Sequence, residues 1–171
     1  SLASREVADA FEEGVRSVLP DCTVKKVCMA DGGEGTAEAL VSSLCGEWVD
    51  VEVLDPLMRP IHARYGGVDD GRTAVIEMAS ASGLTLLTEE ERNPLKTSTY
   101  GTGQLITDAL KRGCRKLLIG IGGSATNDAG TGMLSALGFC FLDAEGRPLD
   151  GCGESLERIA VIDSSHILPE L

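Results

Sequence analysis

Residues 118–130 read LIGIGGSATNDAG: an apolar run, three glycines within four positions (Gly120, Gly122, Gly123), then Ser124, Thr126, Asn127 and Asp128. A short apolar run that breaks on glycine reads as a buried strand handing over to a loop. The strand is expected over 115–119 (RKLLI), and a helix rich in small residues over about 126–137. Strand, glycine loop, helix is the repeating unit of an α/β fold, in which ligands gather where such loops leave the carboxyl ends of the strands.

Toward the N-terminus the same unit recurs. TSTYGTGQLITDALKRG (97–113) is a polar glycine loop leading into a helix over about 103–112, with Gly113 suited to the position just past the helix end. Residues 82–98 read as loop, and the Glu89-Glu90-Glu91 run as a solvated surface. Before them, EWVDVEVL, IHARYGGV and TAVIEMA are three strand-like segments separated by Asp55-Pro56 and Asp69-Asp70-Gly71. Turn signals at that spacing predict an antiparallel meander, with Val49, Val51 and Val53 alternating against charged neighbours. Residues 4–19 read as an amphipathic helix with Ser4 as N-cap and Pro20 beyond its end; 22–28 (CTVKKVC) as a strand; MADGGEGT as a glycine-rich turn; and 35–45 as a second helix. On the C-terminal side, FCFLD reads as a strand and 143–155 as a turn-rich connection. The pattern predicts α/β with a largely parallel sheet, interrupted by the meander.

Composition narrows the function. The net charge of −12 opposes nucleic-acid binding and docking on anionic lipid, both of which need clustered Lys and Arg. It leaves room for a small anion held by backbone N–H groups. Six cysteines with no C-x-x-C pair, and two histidines remote from them, make a disulfide scaffold or a zinc site a poor fit; buried thiols in a reducing cytoplasm are expected. No apolar run reaches membrane-spanning length and no signal peptide is visible. At 21 of 171 residues, glycine exceeds its usual share of about 7%, which points to loops with demanding backbone angles.

Three loops share glycine, Ser or Thr, and in two of them an acid: Asp31-Gly32-Gly33-Glu34-Gly35-Thr36, Thr97 to Gly103, and Gly120 to Asp128. Each precedes an expected helix, so its N–H groups and the helix's positive end suit phosphate or carboxylate. Phosphoryl transfer needs an acid to orient the attacking hydroxyl and carboxylates for Mg²⁺. Asp31 and Asp128 suit those roles, and equally suit capping the helices that follow. Glu77, in an otherwise apolar strand, is either paired or functional. Arg92 is a candidate clamp for a substrate carboxylate or an ordinary surface arginine. Gly120 to Ala125 also matches G-x-G-x-x-A after a strand, with Asp143 where a ribose-binding acid would fall. An NAD(P)-binding oxidoreductase is therefore an alternative. A non-catalytic domain that self-associates through exposed sheet edges is another.

The segments MADGGEGT, AVIEMASASGL, ERNPLKTSTYGTGQLI and IGIGGSATNDAGTGMLSALG, in that order, resemble those of bacterial type I glycerate kinases, and SLASREVADAFEEGVRSVLPD is similar to that family's first helix. The resemblance covers essentially the whole chain. It implies ATP-dependent, Mg²⁺-assisted phosphorylation of D-glycerate to a phosphoglycerate. It also implies a two-domain build: a Rossmann-like parallel sheet domain holding residues 1–48, and part of a second α/β domain, containing the meander, over 49–171. Family members are about twice this length and begin with a strand and a D-S-F-K-G-S-like loop upstream of Ser1. The expectation is a fragment holding part of an active site. On this basis Asp31 and Asp128 are assigned to Mg²⁺ or the reacting hydroxyl. Gly32, Gly33, Glu34, Arg92, Thr99, Gly101, Thr102, Gly122, Gly123, Ser124 and Asn127 are assigned to substrate or phosphate, with the N–H groups of Gly122, Gly123 and Ser124 as the anion cradle.

Overall fold

A computed structural model describes residues 4–27, 32–33 and 35–171. Its centre is a four-stranded sheet in the order β1-β2-β3-β4, formed by β1 (Glu47–Leu54), β2 (Pro60–Val68), β3 (Thr73–Glu77) and β4 (Lys116–Gly120). The first three strands are the expected meander: β1 pairs antiparallel with β2, and β2 with β3. The parallel pairing lies between β3 and β4, with Ile76 opposite Ile119 and Glu77 opposite Gly120.

Side-chain alternation gives the sheet two working faces. Val53, Ala63, Tyr65, Ala74 and Ile76 lie against Leu105, Ile106, Ala109 and Leu110 of α4 (Tyr100–Lys111). Burying Ile76 and Leu105, both fully enclosed, contributes about 2 kcal/mol each. On the other face, Val68 and Val75 meet Ala37 and Val41 of α2 (Thr36–Ser43). Strand β3 is thus covered on both sides, which is why its TAVI run is continuously buried rather than alternating. The Tyr65 hydroxyl donates to Asp108 Oδ2 at 2.9 Å, and burial first, then the Asp108 carboxylate, raises the phenol's pKa.

Several expectations shift. Helix α1 (Ser4–Val18) forms where it was read, with Ser4 as its first residue and not its N-cap, but residues 22–27 adopt no strand and pair with no other strand among the described residues. Helix α4 begins at Tyr100, so Gly101 and Gly103 lie inside it rather than in a loop. Both glycines serve close approach: a Cβ on Gly101 would strike the Leu54 carbonyl, and one on Gly103 the Met133 carbonyl. Helix α5 (Thr131–Ala136) starts later than expected, because Ala129 and Gly130 take left-handed φ of 52° and 75°. Helix α2 packs on the sheet across the expected boundary at residue 48. Beyond the sheet lie a four-residue helix, α3 (Ala79–Ser82), and an antiparallel pair of short strands, β5 (Cys140–Leu142) and β6 (Val161–Asp163). No described helix is long and apolar enough to cross a membrane.

Candidate active site

The parallel strands β3 and β4 end side by side, and the glycine segment leaving β4 runs along the rim between two other loops. On one side, Gly122 N–H donates to the Gly32 carbonyl at 2.9 Å. The fit is close enough to require glycine. A Cβ on Gly120 would lie 2.7 Å from Gly32 O, and one on Gly122 2.7 Å from Gly33 Cα. On the other side, Thr97 Oγ1 donates to the Ala125 carbonyl at 2.8 Å, and Ala125 N–H donates to Ser82 O at 2.9 Å. The three loops singled out by composition therefore meet at one end of the sheet.

Asp128 is the brace of the second junction. It is 1% exposed, and Oδ2 accepts Thr99 N–H at 2.8 Å, Thr99 Oγ1 at 2.7 Å and Gly132 N–H at 3.2 Å. Oδ1 accepts Gly130 N–H at 3.0 Å. Thr99 Oγ1 in turn accepts Met133 N–H at 2.8 Å. The carboxylate expected to hold Mg²⁺ or the reacting hydroxyl is occupied by four donors from its own chain. It ties the start of α4 to the start of α5. Among the described residues no group of three or more His, Cys, Asp or Glu is gathered for a metal ion; Asp31 and Glu34 lie outside the described residues.

The remaining candidates divide. Thr102 is buried and shares a 2.7 Å hydrogen bond with Ser82 Oγ, while Gly101 packs on β1 and Thr99 bonds to Asp128. Arg92 is exposed, and no described residue takes a hydrogen bond or ion pair from its side chain. Arg59, which composition did not single out, holds this region: Nε donates to Asp55 Oδ2 at 2.6 Å and Nη1 to Glu91 Oε1 at 2.7 Å. Asn127 is exposed beside the Asp128 junction. Of the three amides expected as an anion cradle, Gly122's is engaged with Gly32. Those of Gly123 and Ser124 have no hydrogen-bond partner among the described residues. Gly123 takes φ +73°, which carries the chain around so that successive N–H groups can point the same way. Ser124 Oγ pairs with Thr126 Oγ1 at 2.9 Å and holds the turn closed.

Asp143 is a turn former. Its Oδ1 accepts the N–H groups of Glu145 (3.0 Å) and Arg147 (2.8 Å), and its Oδ2 accepts Arg147 Nε at 2.8 Å. The Arg147 backbone N–H, more than its guanidinium, holds the Asp143 carboxyl below the usual range. Asp55 and Arg59 repeat the arrangement, Oδ1 accepting from Leu57 and Arg59 N–H and Oδ2 from Arg59 Nε. The shared D-x-x-x-R spacing was a signal for it in the sequence. With Asp143 engaged in this way, the dinucleotide alternative has lost its ribose-binding acid.

Against known proteins, the model of the glycerate kinase family matches residues 1–171. The chain belongs to the glycerate kinase family. It is 50% identical over 167 residues to a glycerate kinase of Bacillus subtilis (strain 168), covering 98% of this chain and 44% of that one. It is 47% identical over 171 residues to a glycerate 2-kinase of Escherichia coli (strain K12), covering all of this chain and 45% of the relative. Its fold matches the crystal structure of a glycerate kinase 2 from Salmonella typhimurium LT2 with a TM-score of 0.84 at 49% identity, over 98% of this chain and 45% of that one. The chain thus spans about half the length of the glycerate kinases it matches.

Proposed function

We propose that this chain carries the phosphate-binding rim of an ATP-dependent kinase that phosphorylates D-glycerate to a phosphoglycerate. The observation that supports this most is the junction of the glycine loops, where Gly122 is bound to Gly32 and the Gly123 and Ser124 amides have no partner among the described residues. Two adjacent N–H donors on a rigid turn suit the oxygens of a transferring phosphoryl group and need no reorganisation when it arrives. Such placement matters in phosphoryl transfer, where the protein's contribution is positioning and charge stabilisation.

In the reaction a glycerate hydroxyl oxygen bonds to the γ-phosphorus of ATP. The bond from that phosphorus to its bridging oxygen breaks, ADP leaves with the electron pair, and the hydroxyl proton passes to a base. We assign the orientation of that hydroxyl to Asp31, the acid of the Asp31/Asp128 pair that Asp128's internal bonding leaves for the task. Asp128 acts by holding Thr99 and the start of α5 in place.

Two measurements on the same protein test this. Phosphorus NMR of the protein with ATP, Mg²⁺ and D-glycerate is expected to show ADP and phosphoglycerate in equal amounts, lost in Asp31→Asn. Nitrogen–proton NMR is expected to show the Gly123 and Ser124 amides moving with added inorganic phosphate in both proteins. Unmoved amides would remove the cradle. Full turnover in Asp31→Asn would remove the role given to that residue.

A further inference from the structure

Glu77 closes β3 and touches both walls of the rim. Its Oε1 accepts the N–H of Ala37, in the first turn of α2, at 2.7 Å. Its backbone carbonyl accepts Ser80 Oγ at 2.7 Å, and the next residue, Met78, donates its N–H to the Gly120 carbonyl at 2.9 Å. The end of one strand is therefore bonded to α2 on one side and to the glycine segment on the other.

The first turn of α2 is bonded back to the loop that precedes it. Gly32 N–H donates to Thr36 Oγ1 at 3.0 Å, and Thr36 N–H to Gly33 O at 3.2 Å. A shift of α2 along the sheet would carry Gly32 with it, and Gly32 holds the Gly122 amide. The apolar contacts of α2, through Ala37 and Val41 to Val68 and Val75, favour burial but are non-directional and set no axial position. A carboxylate at a helix N-terminus is directional, and it gains from the positive end of the helix.

We propose that Glu77 is a positioning residue that sets the separation of the Gly32 and Gly122 loops, and through it the aim of the Gly123 and Ser124 amides. Its bearing on phosphoryl transfer rests on the function proposed above, but the placement itself is testable without substrate.

The test is residue-resolved amide hydrogen exchange on the 171-residue chain, with Glu77→Gln and Glu77→Met compared. Gln keeps an oxygen acceptor for Ala37 N–H; Met keeps the side-chain length and removes the acceptor. The expected result is near-native protection at Ala37 and Gly122 in the Gln variant and about tenfold faster exchange there in the Met variant, with β1 and β2 unchanged in both. Equal protection in Gln and Met would show that packing, not the acceptor, holds the loops, and would overturn the proposal. So would faster exchange throughout β1 and β2 in both variants, which would make Glu77 a residue of general stability. A phosphate titration of the same samples separates this from the cradle: native loop spacing with unmoved Gly123 and Ser124 amides would sink the cradle alone.

Discussion

Asp128 collects four hydrogen bonds on one buried carboxylate, so its removal leaves the N–H groups of Thr99, Gly130 and Gly132 without their acceptor. Leaving buried donors unmade costs more than the bonds themselves contribute. Asp128→Ala is expected to lose about 3 kcal/mol of stability in urea unfolding, and Asp128→Asn less, because it keeps one oxygen. A carboxylate serving only a metal would show no such loss. Asp143 carries a pH dependence. Its carboxyl is lowered in the fold, chiefly by the Arg147 N–H, so the native state favours the charged form. The stabilisation is complete above the unfolded Asp value of about 3.9 and disappears as pH falls through the lower, folded value. Equilibrium unfolding between pH 5 and 2 should show the wild type losing more stability than Asp143→Asn, with a constant difference above pH 5.

Between elements, the glycines of α4 decide the packing. Replacing a mid-helix glycine by alanine normally gains up to about 1 kcal/mol from backbone entropy. At Gly103 the sign reverses, since a Cβ would strike the Met133 carbonyl and lie 2.7 Å from the Ala136 Cβ, and backbone cannot step aside as a flexible side chain does. Gly103→Ala is expected to cost about 2 kcal/mol or more, read as a lowered Tm. Gly113 provides the contrast: a Cβ there meets nothing within 4 Å, but φ is +99°, so Gly113→Ala should cost only about 1 kcal/mol. These two glycines look alike in the sequence. One is set by its own backbone angle and was legible as a helix end; the other is set by a helix it meets 30 residues later.

Across the whole molecule, a net charge of −12 surrounds a rim proposed to bind an anion. On that proposal the long-range field repels phosphate while the Gly123 and Ser124 amides attract it at contact. Added salt screens the first and scarcely touches the second. Phosphate affinity is therefore expected to rise as ionic strength goes from about 20 to 200 mM, where the Debye length shrinks from about 20 to 7 Å, measured by NMR titration with a bulky organic counter-anion in place of chloride. Weakening with salt would show that local cations govern binding. Much of this architecture was legible along the chain: the meander from its turn residues and valine alternation, the strand and loop of 116–124 from an apolar run broken by glycine, and α1 from its helical spacing. Those features are local, fixed by backbone angles and by the periodicity of single elements. What residues 22–27 do was not legible, because a strand needs a neighbour to take its hydrogen bonds, and their own sequence does not supply one. Nor were the tasks of Asp128 and Glu77. An acid beside a glycine loop reads the same whether it faces a ligand or its own chain, and only the folded packing, which set Asp128 against Thr99 and Glu77 against Ala37, decided which donors each carboxylate would meet.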